Sequence, residues 1–157
     1  MLHGKTVLEH VLAAVKAADL PCHVVHPAGA QTAGMGDSIA AGVRHCADAA
    51  GWLILPADMP LIRPSTLMAV AQALRQVAGQ EAVVLPCYAG QTGHPVAFTA
   101  ACREALLHVK GEQGARNIVQ RLRQQGCVVE LEVDDAGILC DIDTIEDLKK
   151  AATLLEN

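Results

Sequence analysis

Gly51-Trp52-Leu53-Ile54-Leu55-Pro56-Ala57-Asp58-Met59-Pro60 is the stretch that decides how this chain is read. A short apolar run closed by proline reads as a buried strand leaving a parallel sheet. Asp58 lies just past the end of that strand, on the edge where open α/β sheets place their ligands. Held between two prolines, a lone carboxylate there suits a hard cation that carries phosphates. The same residue type caps helices and turns loops, so position alone leaves both roles open.

The flanking sequence alternates helix and strand signals. Val7, Leu8, Val11, Leu12 and Val15 follow helical spacing over residues 6–19, and Leu20-Pro21 ends that run. Residues 22–26 read as a short strand and residues 27–36 as a loop. Asp37 or Ser38 is then the expected cap of a helix reaching about residue 50. Pro64 suits the first turn of a helix through residue 77. Residues 82–86 and 96–98 read as strands around a polar turn at 88–93, and residues 101–107 and 115–124 as helices around a 111–114 loop. Strands follow at 127–133 and 138–142, with a closing helix over 144–155. The pattern is α/β with a mostly parallel sheet in a single domain spanning residues 1–157. The short strands after Cys87 depart from strict alternation and are expected to form a flap on the substrate side.

Composition narrows the function classes. Hydrophobic residues make up 52% of the 157, enough for one aliphatic core, while aromatics are only 2%. The formal charge of −5, with no basic cluster, argues against a nucleic-acid partner. No apolar run approaches the roughly 20 residues of a membrane span, and no signal-peptide pattern opens the chain, so a cytoplasmic location is expected. The six cysteines form no C-x-x-C pair and read as reduced thiols. Cys22-His23 with His26 hints at a soft-metal site, but neighbouring strand residues face opposite ways and no second ligand cluster is present.

Four further motifs invite chemistry. In Gly34-Met35-Gly36-Asp37-Ser38, two glycines precede a helix, where bare amides suit an anion or a base edge. An ordinary loop entering a helix has the same appearance. Gly93-His94-Pro95 offers a close backbone approach and an imidazole for a ligand oxygen, or a surface turn. Arg116, after Gly111-Glu112-Gln113-Gly114-Ala115, places a cation at the positive end of a helix, which calls for an anion from a carboxylate or a bound phosphate. Asp143, three residues before Glu146, has capping-box spacing and is also a candidate to join Asp58 on one cation.

In this order, the motifs Gly-Met-Gly-Asp-Ser-Ile-Ala-Ala-Gly, Pro-Ala-Asp-Met-Pro, Gly-His-Pro-Val, Gly-Glu-Gln-Gly-Ala-Arg and Asp-Ile-Asp-Thr-Ile-Glu-Asp-Leu resemble the molybdenum-cofactor nucleotidyltransferases, most of all the CTP:molybdopterin cytidylyltransferase branch. Gly4-Lys5-Thr6-Val7-Leu8-Glu9-His10 fits the first helix of that family. The resemblance implies a three-layer Rossmann-like fold and Mg²⁺-dependent transfer of a nucleotide, CMP from CTP, to a phosphorylated acceptor such as molybdopterin. It implies that Asp58 and Asp143 hold the metal and act in catalysis. Gly34, Gly36 and Ser38 would bind the nucleotide, and Gly93, His94, Pro95 and Arg116 the acceptor. The family's opening strand and glycine-rich triphosphate loop have no counterpart here, so a missing first strand and a weakened triphosphate site are expected. Direct pairing of residues 22–26 with residues 53–56, or a homodimer, would cover the gap. A non-catalytic pterin-binding module and a sugar-phosphate nucleotidyltransferase are the alternative readings.

Overall fold

Thr6 opens the first helix with a capping box: its hydroxyl accepts from the Glu9 amide at 3.2 Å, and the Glu9 carboxylate accepts from the Thr6 amide at 2.6 Å. The computed structural model describes residues 1–26 and 34–155. The loop expected over 27–36 therefore lies outside the described residues as far as residue 33. The helices are α1 (Val7–Ala17), α2 (Met35–His45), α3 (Pro64–Gln76), α4 (Arg103–Leu107), α5 (Arg116–Gln124) and α6 (Ile145–Leu155). The strands are β1 (Gly51–Ile54), β2 (Val83–Tyr88), β3 (Gln91–Thr92), β4 (Val96–Thr99) and β5 (Val128–Glu132). None of these helices is long and apolar enough to cross a membrane.

The α/β class is observed, with helices on both faces of the sheet, but the expected mostly parallel pairing is corrected. Among the described residues only β2 and β5 pair in parallel; β1–β4, β2–β4 and β2–β3 are antiparallel. The cause is local. Ala89 and Gly90 both take positive φ, 50° and 78°, which is the two-residue turn that folds β2 back on itself. The returning chain runs along β2 as β3 and then β4, pairing Val84 with Ala97, and β4 in turn pairs with β1. The residues expected to form a flap thus lie in the sheet itself. β1, β2 and β5 still share one direction, so the Asp58 loop keeps its place at a carboxyl edge.

Period-two alternation divides the core between the two faces. Trp52, Val83, Leu85 and Phe98 face α2, α4 and α5, meeting Ile39, Val43, Leu106, Ile118 and Leu122. Val84 and Ala97 face Val70 and Leu74 of α3 on the other side. Ala14 and Ala18 carry α1 onto Leu67 of α3 and onto Ile138. The indole of Trp52 donates to the Cys46 carbonyl at 3.0 Å, so the large aromatic is buried with its polar atom satisfied.

Three further expectations are corrected. Residues 22–26 form no strand and do not pair with β1; they lie along α2. Gly42 permits this approach, because a Cβ there would meet a Val25 methyl at 3.0 Å. Among the described residues, the outer edge of β1 carries no strand. Helix α2 begins at Met35 with Gly34 as its cap, rather than at Asp37 or Ser38, and the Asp37 carboxylate instead accepts from the Gly111 amide at 3.3 Å. The strand expected at 138–142 is a 3₁₀ turn, Ala136–Leu139, followed by irregular chain.

Candidate active site

Beyond Ile54 the chain leaves the sheet, and the Asp58 carbonyl accepts from the Ile142 amide at 2.9 Å. That bond fixes the neighbours of Ile142, Asp141 and Asp143, beside the Asp58 loop. The carboxyl of Asp143 is held above its ordinary value, first by the charge of Asp141, then by burial, Asp58 and Asp147. Like charges gathered in this way are costly, and a bound cation relieves the cost. Asp141 was absent from the sequence-based set. Its signal was the Asp-x-Asp spacing, which puts alternate residues of an extended chain on one side.

Asp143 is free for such a role because it is not the cap of α6. The observed box is one residue further on: the Thr144 amide donates to the Asp147 carboxylate at 3.0 Å, and the Asp147 amide donates to the Thr144 hydroxyl at 3.1 Å. The expected Asp143–Glu146 box is thereby corrected. Glu146 instead pairs with Lys150 at 3.1 Å on the exposed side of the helix.

His94 enters the same region at the same edge of the sheet, because it precedes β4, whose Val96 pairs antiparallel with Ile54 at the end of β1. Its amide donates to the Ile138 carbonyl at 3.0 Å, and the Gly93 amide donates to the Pro86 carbonyl at 2.9 Å. These bonds press the loop against the 3₁₀ turn so closely that a Cβ on Gly93 would collide with the Ile138 carbonyl oxygen. Gly93→Ala is therefore expected to lower stability by about 3 kcal/mol through overpacking, read as a lower urea midpoint at unchanged slope. Pro95 is buried behind the histidine. Burial holds the His94 imidazole below its ordinary pKa, against the opposing pulls of Asp58, Asp141 and a hydrogen bond to the Ile54 backbone. At neutral pH the ring is thus uncharged. Its Nδ1 and the Oδ1 of Asp58 are both buried without a hydrogen-bond partner. Unsatisfied buried polar atoms are rare, and two in one region mark a place built for something else to bind.

A hollow of about 630 Å³ connects these groups, lined among others by Asp58, His94, Asp141, Glu112, Arg116 and Met35. A second, more open hollow of about 540 Å³ lies between the starts of α1 and α2 and shares Asp58, Pro56 and Met35 with the first. The larger one holds the titratable groups and is the better candidate for chemistry. Arg116 is the first residue of α5 and is exposed; among the described residues it joins no ion pair, so no protein carboxylate answers its charge. Gly34 and Gly36 sit at the start of α2 against the 110–112 segment. The Gly36 amide donates to the Gly111 carbonyl at 2.8 Å, and a Cβ on Gly36 would stand 2.6 Å from the Lys110 backbone. Gly34, with φ of 95°, faces the Glu112 carboxylate in the same way. Both glycines therefore have a packing reason to be glycine. Ser38 follows in the first turn, partly buried.

No three His, Cys, Asp or Glu side chains among the described residues form a ready metal cage. Magnesium does not need one, because it keeps several waters and binds through one or two carboxylates plus substrate phosphates. The orphaned oxygen of Asp58 and the crowded Asp141–Asp143 pair fit that donor set. The soft-metal reading of Cys22-His23 finds no cage either: all six cysteines are free, and His23 stacks face to face on His45.

The family model for the MobA-like NTP transferase domain matches residues 1–126. The purine catabolism protein PucB of Bacillus subtilis is 32% identical over 116 residues, which are 73% of this chain and 54% of that protein. The match therefore spans about half the length of that relative. A nucleotidyl transferase from Methanothermobacter thermautotroptrophicus superposes with a TM-score of 0.78 at 20% identity, over 100% of this chain and 84% of that one. Rv0371c of Mycobacterium tuberculosis, in a structure described as a complex with manganese, gives 0.73 at 20% identity, over 100% and 90%. These two likenesses, at 20% identity, bear on the fold alone.

Proposed function

The chain belongs to the MobA-like NTP transferase domain family, and from that premise we propose that it moves CMP from CTP to a phosphorylated acceptor such as molybdopterin, with Mg²⁺ as cofactor. The observation that carries this reading is the gathering of Asp58, Asp141 and Asp143 around one backbone bond, with an unsatisfied Asp58 oxygen and the unsatisfied, buried Nδ1 of a half-buried His94 in the same region. The manganese complex of a structural relative supports a divalent ion as cofactor.

In this reading Asp58 and Asp143 hold the ion, and Asp141 adds negative charge beside them. The bound ion supplies neutralisation of the triphosphate. Gly34, Gly36 and Ser38 lie against the nucleotide. Gly93, His94 and Pro95 face the acceptor, His94 meeting it through Nδ1, and Arg116 balances the acceptor phosphate. A phosphate oxygen of the acceptor attacks the α-phosphorus of CTP, the new P–O bond forms, the α–β bridge breaks, and pyrophosphate leaves. An ionised phosphate nucleophile has no proton to lose, so the residues present need only align and balance charge.

Calorimetric titration with CTP, GTP and ATP, with and without Mg²⁺, tests the reading. CTP binding that requires Mg²⁺ is expected. Preference for GTP overturns the CMP assignment. No nucleotide binding at millimolar concentration, with a pterin phosphate still bound, overturns the transferase reading in favour of a binding module. Binding of sugar phosphates in place of the pterin overturns the acceptor assignment.

A further inference from the structure

We infer that the larger hollow takes an acceptor with two anionic groups, one met by Arg116 and the second by Arg123, which Glu130 holds until the ligand displaces it. The inference rests on the transferase reading of this hollow and adds a class of acceptor to it. Arg116, Val119 and Arg123 all belong to α5, and all three line the hollow. Spacings of three and four residues set them in one row along the helix. The two arginines are therefore two turns apart, about 10 Å along the axis, with an apolar side chain between them. The acidic groups of the lining, Asp58 and Asp141, come from loops outside α5, so the helix gives the hollow a wall that is basic at both ends.

A cation in the last turn of a helix also answers the helix dipole, and that alone would account for Arg123. Arg121 already fills that role in the same turn. It points from another face of α5, where it holds Glu81 through two bonds of 3.0 and 3.1 Å. Arg123 is held more loosely: among the described residues it meets Glu130 through Nη1, at 2.7 Å. Glu130 lies on β5 in register with Leu85 of β2, and Leu85 is part of the lining. Paired positions on neighbouring strands take the same face, so this carboxylate reaches Arg123 from beside the hollow.

The Arg123 and Glu130 side chains are 51% and 45% exposed. An ion pair so exposed is weak and exchanges readily with an incoming anion. A phosphate or phosphonate presents several oxygens to the guanidinium fork, where Glu130 engages one nitrogen. Glu130 then turns to solvent. Arg116, which joins no ion pair among the described residues, has no such competitor.

The test is calorimetric titration of the full chain with hexane bisphosphonate, which carries an anion at each end, and with hexylphosphonate, which carries one. The bisphosphonate is expected to bind about tenfold more tightly. Arg123→Gln is expected to bring the two affinities level. Glu130→Gln is expected to tighten bisphosphonate binding by about two- to fivefold, because the competing carboxylate is gone. Equal affinities in the unmodified chain overturn the inference. So does a bisphosphonate preference that survives in Arg123→Gln, or bisphosphonate binding that is unchanged or weaker in Glu130→Gln. CTP titrated with Mg²⁺ beside these probes separates the two readings. CTP binding without a bisphosphonate preference overturns the second anchor and leaves the transferase reading standing. No CTP binding overturns that reading and the inference with it.

Discussion

Asp135→Ala lowers the unfolding temperature by about 8–15 °C, from a loss of about 4 kcal/mol in a domain of this size. Asp135 is 2% exposed, and its carboxylate ties the start of α3 to its own 3₁₀ turn. One oxygen accepts from the Arg63 amide at 2.9 Å and from the Thr66 hydroxyl at 2.6 Å, and the other accepts from the Gly137 amide at 2.9 Å. Arg63 is the N-cap of α3 and its own side chain makes no capping bond, so Asp135 supplies from 72 residues away what a local cap supplies elsewhere. Truncation leaves two amides and a hydroxyl buried without an acceptor, which costs more than the bonds themselves gained. Asp135→Asn keeps the shape but puts an NH₂ group against at least one donor, and about half the loss is expected. Thermal unfolding followed by circular dichroism reads both variants. If the alanine variant shifted by less than 3 °C, Asp135 would not tie these segments together.

Asp58 and Asp135 differ in how far the sequence disclosed them. Asp58 was visible because a strand signal and two prolines placed it at a sheet edge. Helices α1 and α3 were visible in their spacing and in Pro64. Asp135 gave only the signal of a local cap for Gly137, because its partners at 63 and 66 meet it only through the tertiary fold. The sheet was legible in its strands but not in its neighbours: period-two alternation tells which face a residue takes, and says nothing about which strand lies alongside. The Ala89-Gly90 turn settled that, and Ala89 is not a residue that advertises positive φ. Around α6 the sequence contained two capping boxes, one residue apart. The tie between Asp58 and Ile142 draws Asp143 toward the site and leaves Thr144 to cap, a choice made by a contact 84 residues distant.

That choice leads to the second large effect. On the proposed reading, Asp58→Asn and Asp143→Asn each weaken Mn²⁺ binding, and with it CTP binding in the presence of metal, by about 100-fold, since a neutral amide replaces one of the few charged ligands. Neither variant is expected to unfold more easily. The Oδ1 of Asp58 has no partner to lose, and Asp143 is destabilised by its neighbours rather than held by them. This is the reverse of Asp135→Ala, and it separates a ligand-binding carboxylate from a structural one within the same fold. Asp141→Asn should cost less affinity and shift the pH dependence. The raised carboxyl of Asp143 means that protons compete with metal from a higher pH than at an ordinary aspartate. Its charged form opposes folding above the unfolded value, and that opposition fades as pH falls through the folded one. Removing the charge of Asp141 lets Asp143 ionise more readily, so the loss of Mn²⁺ affinity on acidification moves to lower pH. Titrations of the three variants with Mn²⁺ between pH 4 and pH 8, beside thermal melts, give the comparison. Unchanged metal affinity in Asp58→Asn, or an acid limb that stays in place in Asp141→Asn, would remove these carboxylates from the site.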